Sequence, residues 1–221
     1  MRRFVRCNSL SLVMTGLFLM ALVGQTIAGY RVHNADQTAH GEPTVGVSAY
    51  LTSGHFVEAV FENWESEFLQ MGAYVFLTAF LFQKGSPESR DPDGSEATSE
   101  EEAMGATAPD ERPWPVRRGG LALRVYEHSL SLTLLALFVG SFLMHAWGGA
   151  REASQEATAH GEAAVTFVGF LGSAELWFQS FQNWQSEFLS IAVLVVLGIF
   201  LREKGSPESK PVGAPHGQTG G

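Results

Sequence analysis

Two glutamates stand where a helix would leave water for an apolar stretch. Glu67 and Glu187 each follow a tryptophan by three residues and precede an uncharged run, Phe68–Gln83 in one case and Phe188–Leu201 in the other. A 30 Å hydrocarbon layer takes about 20 helical residues at about 1.5 Å each. Counted back from Lys84 and Lys204, that length starts near Trp64 and Trp184 and places both carboxylates one turn inside the boundary. An intramembrane carboxylate is a functional-site candidate, because its cost must be met by a pairing or a path. The structural alternative is a helix-start charge at the positive end of the dipole, reaching water through a thin local bilayer. Arg31 and Arg151 are the matching cations, and a boundary pair with Glu67 or Glu187 would be less screened than a surface pair. Asn63, Trp64, Asn183 and Trp184 complete the candidate set, as interfacial anchors and interhelical hydrogen-bond donors.

Other constellations point away from enzymology. Ser66 and Ser186 adjoin the glutamates without a positioned histidine, which is no hydrolase arrangement. His40-Gly41-Glu42 and His160-Gly161-Glu162 could offer two histidines and two glutamates to a metal, but no two of them share a helical face. A turn followed by Pro43 explains the first triplet adequately. His33, His55 and His145 lack counterparts in the other half, so symmetry offers no argument for them. Lys84-Gly85-Ser86-Pro87 reads as a helix stop, not a phosphate loop. Cys7 is the only cysteine, so there is neither an internal disulfide nor a multi-cysteine metal site. The expectation is a protein that is not an enzyme, with no catalytic residue, cofactor or metal.

The elements carrying these residues are written twice. Phe61-Glu62-Asn63-Trp64-Glu65-Ser66-Glu67-Phe68-Leu69 returns as Phe181-Gln182-Asn183-Trp184-Gln185-Ser186-Glu187-Phe188-Leu189, and Lys84-Gly85-Ser86-Pro87-Glu88-Ser89 returns as Lys204-Gly205-Ser206-Pro207-Glu208-Ser209. Every pair is offset by 120 residues, too long for a solenoid unit of roughly 20–50 residues. The chain is 45% hydrophobic and 17% charged, with a net charge of −9. No charged side chain interrupts 7–30 or 129–150, each long enough to span. With the two shorter runs, this gives four spanning helices in two parallel two-helix repeats, an all-α integral membrane fold.

Ahead of each shorter run lies an amphipathic stripe. Phe56, Val60, Trp64 and Phe68 recur every four residues, and Leu176, Trp184 and Phe188 fall on the same spacing with position 180 skipped, after a capping Ser53 or Ser173. These outer helices could lie in the interface or run straight into the spans. Of the 14 basic residues, 12 lie before the first span, between the second and third, or after the fourth; only Arg31 and Arg151 do not. The positive-inside rule then puts both termini and the middle segment in the cytoplasm. The N-terminus also has the look of a secretory signal, with Thr26-Ile27-Ala28 as a cleavage site, but its internal counterpart argues for a retained helix. The expected boundaries are repeat one at 1–90, a disordered acidic linker at 91–120, repeat two at 121–210 and a disordered tail at 211–221.

The paired Phe-x-Asn-Trp-x-Ser-Glu-Phe-Leu and Lys-Gly-Ser-Pro-Glu-Ser motifs resemble a family of small bacterial membrane proteins catalogued only as a domain of unknown function. The resemblance implies a four-helix bacterial inner-membrane protein and supplies no activity, ligand or catalytic residue. The expected role is non-enzymatic: structural, accessory or interactive, with the lipid bilayer and a membrane protein or a second copy as partners and no nucleic acid. The alternative is a small channel or transporter with Glu67 and Glu187 lining a path.

Overall fold

The computed structural model describes residues 2–84, 86, 88 and 106–215. All regular structure among them is helical: α1 (Arg2–Cys7), α2 (Ser9–Ala39), α3 (Val47–Tyr50), α4 (Gly54–Thr78), α5 (Trp114–Arg118), α6 (Gly120–Glu127), α7 (Ser129–Ala159), α8 (Phe167–Leu171) and α9 (Ala174–Leu197). The chain forms two compact units, one of residues 1–61 with 143–176 and the other of 62–142 with 177–221. Each unit therefore draws on both sequence repeats.

Matched residues begin and end matched elements. Asn8 and His128 break the helix at the same place in each repeat, with φ/ψ of −118°/19° and −108°/14°. The Asn8 side chain donates to Phe4 O at 2.8 Å, a local bond that competes with helix continuation. The α2 and α7 helices then run 31 residues each. Both outlast the uncharged stretch, because nothing from Arg31 to Ala39 or from Arg151 to Ala159 breaks a helix. The stop comes at the His-Gly-Glu triplets. Gly41 and Gly161 take φ of 76° and 75°. Glu42 N–H donates to Gln37 O and Glu162 N–H to Ala157 O, both at 2.8 Å; Gly41 and Gly161 donate to Thr38 O and Thr158 O, both at 3.1 Å. That is the Schellman pattern, which needs a residue free to turn left-handed. The triplets are helix caps.

The helix α4 is continuous, so the amphipathic stripe and the apolar run behind it share one axis. The same holds for α9. Ser53 and Ser173 cap them, accepting the N–H of Phe56 and of Leu176 at 3.2 Å. Both helices stop earlier than the sequence predicts. Thr78 Oγ1 bonds back to Tyr74 O at 3.0 Å, and Ala79 and Phe80 tighten into i→i+3 bonds, so α4 ends six residues before Lys84. Lys84 is thus not a last-turn cation, although Gly205 of the second motif does adopt φ 89°.

By length and composition, α2 and α7 can each cross a membrane. The most apolar stretch of α2 is not buried at all; Leu10, Met14 and Met20 are 58–75% exposed, and Leu17 and Val23 lie open beside them. A helix apolar all round and open to its surroundings fits lipid better than water. Of the expected linker, 91–105 lies outside the described residues, while 106–120 includes α5. In the expected tail, 216–221 lies outside them too. Arg202 donates to Phe200 O, Pro211 O and Ala214 O at 2.9–3.2 Å, tying the start of the tail to the chain leaving α9.

Candidate functional site

Polar side chains of α4 and α9 meet in a ladder. Asn183 Nδ2 donates to Glu62 Oε1 at 2.7 Å, Ser180 Oγ to Glu65 Oε1 at 2.7 Å, and Gln70 Nε2 to Glu187 O at 2.8 Å and Ser190 Oγ at 3.0 Å. Every pair is separated by 115–121 positions in the chain, so the two segments run parallel. Glu65 and Ser180 are fully buried and Gln70 nearly so. A buried carboxylate or amide is tolerable only when hydrogen-bonded, and here each is met across the helix pair.

The expected residues divide around this ladder. Asn183 makes the anticipated interhelical bond, whereas Asn63 is exposed and its carbonyl accepts Ser66 Oγ at 2.8 Å. Trp184 packs with Phe138, Trp177 and Phe181 at ring distances of 5.4–6.4 Å, and its Nε1 is buried without a hydrogen-bond partner. Trp64 is half-buried. Glu67 is exposed and close enough to Glu187 to act on it electrostatically. Arg151 is engaged within its own unit. Its Nη1 donates to Thr52 O at 3.1 Å, and its guanidinium lies 4.8 Å from the Trp147 ring centre. A carbonyl at the turn before α4 and an indole face both suit that cation. Arg31 is exposed.

The same unit that holds Arg151 contains a second cluster, which sequence reasoning missed. Glu152 Oε2 accepts the His55 N–H at 3.0 Å and so places a carboxylate on the first turn of α4. His55 stacks 5.2 Å from His33 and 5.9 Å from Tyr50, whose hydroxyl lies 3.5 Å from His55 Nδ1. Burial holds the His55 imidazole below its ordinary 6.5; His33 adds to this, while Glu152 and Asp36 oppose it. Burial, helped by Glu152, raises the Tyr50 phenol. This group borders an open polar cavity of about 770 Å³, also lined by Gln37, His40, Arg151, Gln155 and His160. Among the described residues no three His, Cys, Asp or Glu side chains are arranged to hold a metal ion.

The signal that could have found this cluster is the mismatch between repeats. Glu152 stands opposite Val32 and Tyr50 opposite Phe170, and in the ladder Ser180 stands opposite Val60. A polar residue where the sister repeat carries an apolar one marks a contact that only one repeat makes. The shared part is steric: Tyr50 packs over Gly29 and Phe170 over Gly149, so closely that a Cβ at either glycine would overlap the ring or hydroxyl. The acidic residues of the second motif also meet. Tyr74 Oη donates to Glu88 Oε2, and a hydrogen bond with Glu88 pushes the Glu208 carboxyl up.

No curated protein and no solved structure is significantly similar to the chain. The family model described as Domain of unknown function (DUF6766) matches residues 1–221, and the chain belongs to that family.

Proposed function

We propose that the chain is a four-span bacterial inner-membrane protein with no enzymatic activity of its own, serving as an accessory or interaction subunit. In this reading α2, α4, α7 and α9 span the bilayer, with both termini and the middle segment in the cytoplasm. The His-Gly turns face outward and present the polar cavity to a partner. The observation that carries the reading is the ladder. Glu62, Glu65 and Gln70 are hydrogen-bonded to Asn183, Ser180, Ser190 and the Glu187 carbonyl. Groups so engaged hold two helices together rather than line a wet path. The cavity, by contrast, collects cationic, acidic and imidazole groups on an open surface.

A second reading, a proton or cation path, is favoured by one observation: Glu67 and Glu187 lie near each other and Glu67 is exposed. Two measurements separate the readings. A photo-crosslinking residue at Gln37, on the cavity wall, is expected to give one discrete adduct in cells, which Arg151→Ala diminishes. Purified protein in proteoliposomes with an internal pH dye is expected to behave like empty vesicles under an applied potential. A proton or cation flux that Glu67→Gln and Glu187→Gln abolish would overturn the interaction reading.

A further inference from the structure

We infer that the groove between α4 and α7 is a binding site for one anionic phospholipid of the cytoplasmic leaflet; this rests on the reading of α4 and α7 as spanning helices. The groove has a volume of about 520 Å³. Gly72 and Ala73 form its floor on α4, and Phe68 and Phe138 lie toward one end. At the other end stand Arg124 and His128, both exposed. The register follows from Gly72, which lies against Leu134, and from the chain direction, which makes the two helices antiparallel. Phe68 is then level with Phe138, one turn beyond that contact on each helix.

Two features select the occupant. From His128 to Phe138 is ten residues, about 15 Å at the helical rise, and about half of a 30 Å hydrocarbon layer. The groove is therefore one leaflet deep, the reach of a single acyl chain. Its wall is apolar except at the Arg124 end, where the positive-inside orientation sets the headgroups of the cytoplasmic leaflet. A guanidinium there matches a phosphodiester by charge and by paired N–H donors. The small floor residues give the chain room; a leucine in their place would fill it.

The test is native mass spectrometry of the whole protein in mild detergent, offered equimolar phosphatidylglycerol and phosphatidylethanolamine with identical acyl chains. One retained phosphatidylglycerol is expected, preferred about fivefold, the factor equivalent to the ~1 kcal/mol that one arginine contributes beside an anionic surface. Arg124→Gln should bring the two lipids to parity, and Ala73→Leu should lower retention of both. Inorganic phosphate should compete with neither. Equal retention by the unaltered protein, or a preference unmoved by Arg124→Gln, would overturn the site. So would occupancy of the groove by a second copy, seen as a dimer that excludes lipid. A cysteine at Gln83 in a Cys7→Ser background keeps the two readings apart. If it reacts only from the cytoplasmic side while the lipid preference is missing, the lipid site fails alone. If it reacts from outside, the spanning assignment of α4 fails first.

Discussion

The tight crossing of α4 and α7 gives the sharpest energetic prediction. A Cβ placed on Gly148 would lie 2.5 Å from Glu58 N, 2.9 Å from Glu58 Cα and 3.0 Å from Gly54 O. All three are backbone atoms, which no rotamer change can move. Gly54 faces the same restriction from Gly148 O and Glu152 N at 2.7 Å. Ordinary contacts start near 3.4 Å, so Gly148→Ala forces the helix backbones apart by several tenths of an ångström or more, an overpacking that costs about 1–3 kcal/mol. Against this stands the gain of about 0.5–1 kcal/mol from replacing glycine inside a helix. Gly16 supplies the control, because nothing lies within 4 Å of its Cβ position. Gly16→Ala should then be neutral or stabilising while Gly148→Ala destabilises, a gap of about 2 kcal/mol, or about 4–8 °C in melting temperature for a chain of this size. The other repeat carries Ala28 and Ala174 at the positions equivalent to Gly148 and Gly54, so alanine itself suits these helices. Melts in one detergent, followed by near-ultraviolet circular dichroism, measure the gap. If Gly148→Ala melts at or above Gly16→Ala, the close crossing is wrong.

Two further outcomes follow from the polar groups. Ser180→Ala strips a buried carboxylate of a 2.7 Å donor and should cost about 1.5–3 kcal/mol, against an average of about 0.6 kcal/mol for interhelical hydrogen bonds in membranes. A double-mutant cycle with Glu65→Gln, which copies Gln185 of the other repeat, should show coupling above that average; additive losses would remove the ladder as a lock. The pH dependence has a fixed sign. Burial first, then His33, keep His55 below its ordinary 6.5, against Glu152 and Asp36, so the unfolded chain binds the extra proton. That contribution is present above the unfolded value and is lost as pH falls through the folded one. Melts between roughly pH 8 and pH 5 should show stability declining on the acid side, less so in His55→Gln; equal slopes in both proteins would remove His55 as the cause.

Much of the architecture is legible in the residue order. The 120-residue offset recurs in the helix starts at Ser9 and Ser129, in the caps at Ser53 and Ser173 and in the left-handed glycines 41 and 161. These are local devices, and local spacing encodes them. The contacts between elements were not legible. An asparagine in this setting suggests an interhelical donor, but the acceptor of Asn183, Glu62, follows only from how α9 meets α4. Depth along one helix singles out Glu67, whereas the buried carboxylate is Glu65, two residues away and on another face. Symmetry also misled: it set aside His33 and His55, which lie together in a cluster that one repeat alone supplies with Tyr50 and the other with Glu152. A repeat describes what two halves share, and chemistry can sit where they differ.

The central claim is a membrane protein with four spans, its repeats the same way up and its termini in the cytoplasm. Single cysteines at Thr38, Thr158, Thr107 and Ser209 in a Cys7→Ser background, treated with an impermeant thiol reagent, test it directly. The account predicts labelling of Thr38 and Thr158 in intact spheroplasts, with Thr107 and Ser209 labelled only after permeabilisation. Labelling of Thr107 in intact spheroplasts, or opposite behaviour of Thr38 and Thr158, would contradict it.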